Sequence, residues 1–490
     1  ATKRYIRSRL RSSVDRKYLT MNLLSGKECN ATINKAETMS KTVKSDLYHA
    51  LVPIYYLSKV FGLLPVRFVG QTSGRYLGQV RLLPTAIVCL GSIGLLFFCI
   101  GAEIWGLWRD LRDGWKNSTR LKSHTAMIVT IGDVLAVALL ASVGVLGAPT
   151  RWKYLQEIIA RMVEVADNIH LIFFSKTRRF SIIISASVLT FLVSLSCLDF
   201  YTWSAQVKSS KKMADKGPIN YTPIYVLYLI ALMIEIQYTV ATYNLGERFA
   251  RLNKNLETLL KGCKFYDYAR QDFTAAGKHR RVRKTGNGVQ NERPKTRNMS
   301  DAVSQLITVH SSLCDVALLI NRAFGVPIVV VTITCLLHLI ITPYVLLVEA
   351  TGTRECLFIV VQCLWCSVHV IRMLIVVQPC YSTSAEAKVT AIKIGQLLSA
   401  NWEPDVRKQL EIFSLQLLHR PLDFSACGMF SLDRALVTSM AGAVTTYLVI
   451  LIQFQKADDT VDATNDAIRN ATLMIKNATL SNLTALKLFQ

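Results

Sequence analysis

The sequence predicts an all-α membrane protein with seven membrane-spanning helices. Of its 490 residues 51% are hydrophobic and only 18% are charged, and the mean hydropathy is +0.32. Soluble domains carry about 25% charged residues, so this much apolar sequence requires a solvent other than water. Seven separate apolar runs are each long enough to cross a hydrocarbon core of about 30 Å at about 1.5 Å per residue.

The predicted spans lie between polar segments of very different length. They cover residues 82–107, 124–147, 180–203, 223–244, 324–349, 356–378 and 433–455. The first four fall within residues 82–244, and the fifth and sixth within 324–378. An earlier apolar run at 47–65 contains Pro53 and Lys59, so we interpret it as an amphipathic or re-entrant helix within a cytoplasmic N-terminal segment, residues 1–81.

The distribution of basic residues orients the spans. Of 57 Lys and Arg residues, 41 fall in the N-terminal segment and in the loops after spans two, four and six, against 14 in the opposite set of segments. Cytoplasmic loops are enriched in Lys and Arg. We therefore expect an inverted topology, with the N-terminus inside and the C-terminal tail, residues 456–490, outside the cell.

Glycosylation sequons agree with this orientation. On the expected outer side, Asn-x-Ser/Thr motifs occur at Asn117, Asn470, Asn477 and Asn482, and a further one at Asn220 is too close to the bilayer to be used. The same motif recurs by chance, as at Asn30 and Asn298 on the expected inner side. Three acceptors in the last 21 residues nevertheless favour an extracellular tail.

Two long inner segments are expected to be largely helical. Residues 245–323 begin and end with apolar residues at helical spacing, which predicts cytoplasmic extensions of spans four and five. Between them, residues 278–298 are polar and strongly basic, which is typical of a disordered loop over anionic membrane lipid. Nucleic acid is not an expected partner, because no aromatic residues interleave these charges. Residues 379–432 are expected to form cytoplasmic anchor helices.

The sequence contains no motif of an enzyme, a cofactor site or a metal site. HExxH, GxSxG and the P-loop are all missing from it. The pair Cys363-x-x-Cys366 has the spacing of metal ligands, but no second pair accompanies it, and we interpret it as a buried thiol-rich helix face. We therefore expect a protein that is not an enzyme and that needs no cofactor.

Polar and aromatic residues within the spans are candidate ligand-binding residues, because polar groups in lipid are costly. They are Asp199, Trp203, Thr342, Tyr344, Gln362 and Trp365. Gln362 and Trp365 are three residues apart, so they share one face of the sixth span. An amide beside an indole suits a polyhydroxylated ligand. The alternative is interhelical hydrogen bonding with an interfacial aromatic, and the residues alone favour that alternative.

The last predicted span, 433–455, carries a stripe of small and polar residues. Steps of three or four give Ser439, Gly442, Thr446, Val449 or Ile450, and Gln453. Such a stripe indicates either close helix packing or a water-lined pathway. Packing accounts for Gly and Ser, whereas the large polar Gln453 at the far end favours the pathway.

The end of this span resembles a known family. Thr446-Tyr447, five apolar residues and Gln453-Phe454 are similar to the signature that closes the last helix of insect gustatory receptors, and LHRPLDFSACGMFSLDRAL (418–436) is similar to the family's entry into that helix. The tail after residue 455 departs from the family, whose members often end shortly after the Gln-Phe pair. A G-protein-coupled receptor is disfavoured because DRY-like and NPxxY motifs are missing.

The resemblance implies a ligand-gated, nonselective cation channel that is homotetrameric or heteromeric. In it the last helix lines the pore through Thr446 and Ile450, and Gln453 with Phe454 forms the gate. The candidate residues in the outer half would then bind a small-molecule tastant. The runs TTYLVILIQFQ (445–455) and HSSLCDVALLINRAFG (310–325) look most like the fructose-receptor lineage, with receptors for bitter compounds as the alternative branch and odorant receptors as a more distant one.

Overall fold

The computed structural model describes residues 53–64, 82–112, 124–168, 175–210, 221–276, 293–350 and 356–488. It contains a short helix α1 at 53–60, followed by α2 (Leu82–Arg112), α3 (His124–Leu146), α4 (Ala148–Asn168), α5 (Ser175–Ser210), α6 (Pro223–Ala276), α7 (Arg293–Ala350), α8 (Cys356–Leu398), α9 (Pro404–His419), β1 (Ser425–Ala426), β2 (Phe430–Ser431) and α10 (Arg434–Leu488). The sequons at Asn117 and Asn220, most of the basic loop and most of the N-terminal segment lie outside the described residues.

The helices meet the requirements of a seven-span membrane protein. Helices α2, α5, α6, α7, α8 and α10 are each long and apolar enough to cross a membrane, and α3 joined to α4 supplies a seventh. The predicted all-α fold with seven spans is confirmed, and its orientation stays a prediction. We name the two ends of the bundle by their residues: the Gln453 end, which Gln453 of α10 approaches, and the hairpin end, where β1 and β2 lie.

Helix α6 is the centre of the bundle. It packs against α2, α3, α5, α7 and α8, and its pairing with α8 is the most extensive in the molecule. From Tyr228 to Val240 nearly every side chain is buried. Helix α6 continues without a break for 54 residues, and α7 for 58 residues despite Pro327 and Pro343. Both helices therefore run past the ends of the spans predicted from hydropathy.

A helix occupies part of the predicted 148–179 loop. Helices α3 and α4 meet at 58°. Gly147 permits the bend, since a Cβ there would lie 2.6 Å from the carbonyl oxygen of Val143. The guanidinium of Arg151 donates to the Gly144 carbonyl oxygen at 2.9 Å across the bend. The buried residues Trp152 and Met162 belong to a helical repeat that marks α4 in the sequence.

A small β-hairpin leads into α10 and was not predicted. Ser425 pairs with Ser431, and Ala426 with Phe430. Its turn contains Cys427 and Gly428 at φ 52° and 72°, the left-handed region that glycine adopts most easily. The hairpin packs on α7 at Gly325, where a Cβ would lie 3.0 Å from the Cys427 sulfur.

Asp433 follows the hairpin and caps α10. Its carboxylate accepts the backbone N–H of Leu436 at 3.2 Å, which satisfies one of the free donors at the start of the helix. The hairpin and this cap together fix where α10 begins and the direction in which it leaves the hairpin end.

Candidate ligand and pore site

A polar and aromatic cluster lies in the middle of the bundle, around Tyr228 of α6. The Tyr228 hydroxyl donates to Oδ1 of Asp133 at 3.0 Å. Its ring lies 5.0 Å from the ring of Trp365, centroid to centroid, at an interplanar angle of 41°. Trp365 is buried. The structure therefore places the predicted Trp365 beside a second aromatic ring that also carries a hydrogen-bonding group.

Two histidines extend this cluster across α7 and α8. The rings of His338 and His369 are stacked, with centroids 4.4 Å apart and an interplanar angle of 7°. Nε2 of His338 lies 2.6 Å from Oδ1 of Asp133, and Nδ1 lies 2.5 Å from the Thr334 carbonyl oxygen. Both ring nitrogens of His338 thus face oxygen acceptors, and Asp133 contacts α6 and α7 together.

A buried ion pair lies next to the histidines. The Arg372 guanidinium donates to Oε1 of Glu235 from two nitrogens, at 2.6 and 3.0 Å. A third nitrogen lies 3.4 Å from Nδ1 of His369. Both charged residues are buried. The paired carboxylate keeps the Arg372 charge compensated away from water.

The predicted residues of α5 make separate contacts. The carboxylate of Asp199 accepts the hydroxyl of Tyr225 at 2.7 Å. Trp203, one turn further along α5, lies edge-on to Phe358 with centroids 6.1 Å apart. These contacts join α5 to α6 and to the start of α8, so Asp199 and Trp203 lie at the same end of the bundle as Gln362.

Gln362 and Thr342 are both buried. Within the part of the chain that the structure describes, the Gln362 amide makes no hydrogen bond to protein. A buried amide with free hydrogen-bonding capacity, one helical turn from Trp365, has the properties that the sequence assigned to a ligand-binding residue.

Tyr344 connects α7 to α10. Its side chain is buried, and its hydroxyl donates to Oε1 of Gln455 at 2.8 Å. Gln455 directly follows Gln453-Phe454 in the sequence. The structure therefore places Tyr344 against the signature segment, and its predicted contact with a ligand stays a prediction.

The signature residues of α10 face away from the bundle. Thr446, Tyr447, Ile450, Gln453 and Phe454 are all exposed, and the Phe454 side chain is 65% accessible. The hydroxyl of Thr446 donates to the Gly442 carbonyl oxygen one turn earlier, at 3.0 Å, so it is satisfied within its own helix. Helix α10 packs mainly on α7 and α8, so within the described residues this face stays uncovered.

The cysteine pair of α8 differs from its prediction. Cys363 is exposed and Cys366 is half-buried, because the buried face of α8 is the one that carries Gln362 and Trp365. The prediction that the pair forms a buried thiol-rich face is therefore wrong. Among the described residues no group of His, Cys, Asp and Glu has the arrangement of a metal site.

Of the sequon residues, only Asn470 has a described side chain, and it is exposed on α10. Asn477 and Asn482 lie further along the same helix.

Sequence reasoning missed several residues of this site. Tyr225, Tyr228, His338 and Phe358 were not selected, although each is a polar or aromatic residue in a predicted span. The spacing of the two tyrosines places them on one face of α6, which was an available signal. The partners Asp133 and His338 are separated by more than 200 residues, and no local pattern connects them.

The family model of the 7tm chemosensory receptors, which describes their shared sequence pattern, matches residues 51–458 of this chain. The match runs from before α1 to just past the Gln453-Phe454 pair. The chain belongs to the 7tm chemosensory receptor family. The match includes every helix that contributes to the cluster around Tyr228, and it ends before most of the tail.

This chemosensory receptor is 28% identical over 441 residues to the gustatory receptor for sugar taste 43a of Drosophila melanogaster, an alignment that covers 83% of this chain and 98% of the relative. It is 26% identical over 290 residues to the putative gustatory receptor 28b of the same species, covering 58% and 59% of the two chains. The structure of the olfactory receptor OR5 from Machilis hrabei superposes with a TM-score of 0.56 at 13% identity, covering 84% of this receptor and 99% of OR5. That likeness shows a shared fold.

Proposed function

We propose that this chemosensory receptor is a ligand-gated, nonselective cation channel that opens to fructose or a similar sugar. The observation that carries the channel proposal is the exposure of the α10 signature face. An apolar helix that the described part of its own chain leaves uncovered on the side of Thr446, Ile450 and Phe454 suits a site where several copies surround a pore. The copies form a homotetramer, or a heteromer with related receptors, as the family resemblance implies.

Two features support a sugar as the ligand. Gln362 and Trp365 offer a free amide and an indole on one helix face, and Asp199, Trp203 and Thr342 lie on neighbouring helices at the same end. Such a set can cover the C–H face of a monosaccharide and hydrogen-bond its hydroxyl groups. The relative named for sugar taste aligns over nearly its full length.

The gate proposal follows from the position of Gln453 and Phe454. Four Phe rings brought together at one level can close a pore by excluding water, which needs only a narrow apolar ring. Tyr344, bonded to Gln455, then connects α7 directly to the gate segment. In this proposal α7 transmits the movement that follows ligand binding.

Current recordings test the proposal. Cells expressing this chain alone should give inward currents to fructose, compared with a panel of other sugars and of bitter and amine compounds. Currents evoked only by an apolar or amine tastant would overturn the sugar assignment and leave the channel. No current from well-expressed surface protein, to any compound, would overturn a homomeric channel.

Orientation needs its own test. We propose that the C-terminus is extracellular and that Asn117, Asn470, Asn477 and Asn482 are glycosylated. An epitope after Gln490 should bind antibody on intact cells, and Asn470→Gln with Asn477→Gln should increase mobility on a gel as glycosidase does. Antibody binding only after permeabilisation would overturn the topology.

A further inference from the structure

The tail after the family signature is a helix, and it is part of α10. The helix runs from Arg434 to Leu488 without interruption, whereas a bilayer core needs only about 20 residues. About 30 residues therefore continue beyond the Gln453 end, along the same axis. Most of them lie outside the family match, which ends at residue 458.

The tail composition does not favour an isolated helix in water. Residues 456–488 contain five Thr and four Asn, which have low helix propensity. Isolated helices of natural sequence are marginal in water, and helices in proteins are stabilised mostly by packing of an apolar face. Every described side chain from Thr460 to Lys476 is exposed, so the part of the chain that the structure describes leaves most of this surface open.

The tail carries an apolar face with a seven-residue repeat. Phe454, Ile468 and Ile475 occupy the first position of the repeat, labelled a, and are 65%, 60% and 67% exposed. In the sequence Val461 fills the remaining a position of this stretch. The d positions hold only small residues, Ala457, Thr464, Ala471 and Ala478. From 454 to 478 the repeat lasts about three and a half heptads, the length typical of a coiled coil.

Between residues 454 and 478 the charges and sequons avoid this face. Between residues 454 and 478 the seven charged residues all fall at positions b, c, e and f, and none at a, d or g. The acceptors Asn470 and Asn477 are seven residues apart, both at position c. A glycan on either would therefore leave the a and d positions free to pack. Asn482 falls at an a position, which marks the end of the repeat.

We propose that the tail helices of neighbouring subunits pack together as a parallel coiled coil, through positions a and d of residues 454–478, directly beyond the gate. The occupant of each apolar face is thus a second copy of this chain. A charge-free apolar strip with a heptad repeat fits the same strip on an identical helix in register. The proposal rests on the proposed channel in one respect: when α10 helices of several subunits surround a pore, the first tail residues of neighbouring subunits lie close together.

Continuity with α10 disfavours a membrane surface as the occupant. A helix lying on the bilayer would need a bend after residue 456, and α10 shows no break there. The tail also lacks the Lys and Arg flank of interfacial helices: residues 456–478 contain three basic and four acidic residues.

Disulfide cross-linking in the full-length protein tests the coiled coil. Ile468→Cys and Ile475→Cys place thiols at a positions, and Leu473→Cys places one at position f on the far side, although Leu473 is similarly apolar and 50% exposed. A disulfide requires Cα atoms within about 7 Å, so oxidation in membranes should convert the a-position variants to covalent dimers about tenfold more than Leu473→Cys. The unsubstituted chain gives the background from native cysteines.

A second set of variants keeps the test informative if single cysteines react poorly. Ala471→Cys places a thiol at a d position. Adding Ile468→Asp and Ile475→Asp to this variant would bury charges between the packed helices, so the Ala471→Cys cross-link should disappear. Leu473→Asp should leave that cross-link unchanged. Equal cross-linking of all positions, none at a or d positions, or products whose mass is not a multiple of this chain would overturn the coiled coil.

Recordings from the same cells separate this inference from the proposed function. Sugar-evoked currents without cross-links at a positions would overturn the coiled coil alone. Cross-links at a positions in protein that never conducts would support the coiled coil and overturn the homomeric channel.

Discussion

Helices α6 and α10 are nearly equal in hydropathy and opposite in burial. Each is apolar enough to cross a membrane, yet 78% of the most apolar segment of α6 is buried within the chain, against 6% of the most apolar segment of α10. Helix α6 holds a charged residue, Glu235, that is fully paired. Helix α10 exposes the family signature. The comparison teaches that hydropathy identifies a span but not what covers its surface. Other helices of the same chain cover α6, whereas lipid or other copies of the chain must cover α10.

The largest effect is expected from breaking the ion pair of α6. Removing Arg372 with Arg372→Ala leaves Glu235 as a buried uncompensated charge, which costs about 3–5 kcal/mol. We expect loss of surface protein and of the monodisperse peak after detergent extraction. The double variant Glu235→Leu with Arg372→Met removes both charges. It should recover most of the surface protein and of the monodisperse peak. A single variant as stable as the parent would show that water reaches this pair.

The corresponding change in α10 should alter function and not stability. Phe454→Ala removes an exposed ring, so the amount of folded protein should stay the same while the gate loses its apolar constriction. We expect a steady current without ligand in whole-cell recordings. Thr438→Ala, earlier on the same helix and also exposed, is the matched control. A silent resting channel in well-expressed Phe454→Ala would move the gate away from this residue.

A smaller effect is expected in the proposed ligand site, at Trp365 and Gln362 of α8. Losing the Trp365 ring should cost about 1–3 kcal/mol of ligand binding, so Trp365→Ala should raise the activating sugar concentration about tenfold or more. Gln362→Ala should act in the same direction. Val360→Ala, on the exposed side of α8, should not change the dose–response curve. Equal sensitivity of all three variants would place the ligand elsewhere.

The smallest effect is expected in the part of α10 that directly follows the Gln453-Phe454 pair. Asp458, Asp459 and Asp462 follow the signature directly and, repeated around a pore, would concentrate cations at its mouth. Changing all three to Asn should lower single-channel conductance at low salt and have little effect at physiological salt, where the Debye length is about 8 Å. Glu157→Gln, on α4, is the control. Conductance that is unchanged at low salt would place these residues away from the ion path.

The sequence predicted the elements that depend on local pattern. All seven spans follow from apolar runs, and the family follows from Thr446-Tyr447 and Gln453-Phe454, because a motif is a local feature. Helix α4 is not among the predicted elements although Trp152 and Met162 carry its periodicity, because it is apolar enough for a span only together with α3. The hairpin was missed because two-residue strands leave almost no alternation to detect.

The site was only partly predictable for a different reason. Gln362 and Trp365 were selected because polar and aromatic residues are uncommon in a span. Their surroundings depend on pairs such as Glu235 with Arg372, which are more than 130 residues apart. Each partner alone is compatible with several roles, and only the packing of α6 against α8 selects one.

Because α10 is unbroken, the distance of any tail residue from Phe454 along the helix axis follows from its residue number. Each residue advances the helix by about 1.5 Å, so a dye attached at position 470 would lie about 24 Å along the axis from Phe454, and one at position 476 about 33 Å. A rotation of the helix at Phe454 would turn both labels through the same angle. Optical labels on the tail would thus read the orientation of the signature segment from outside it, without altering the segment itself.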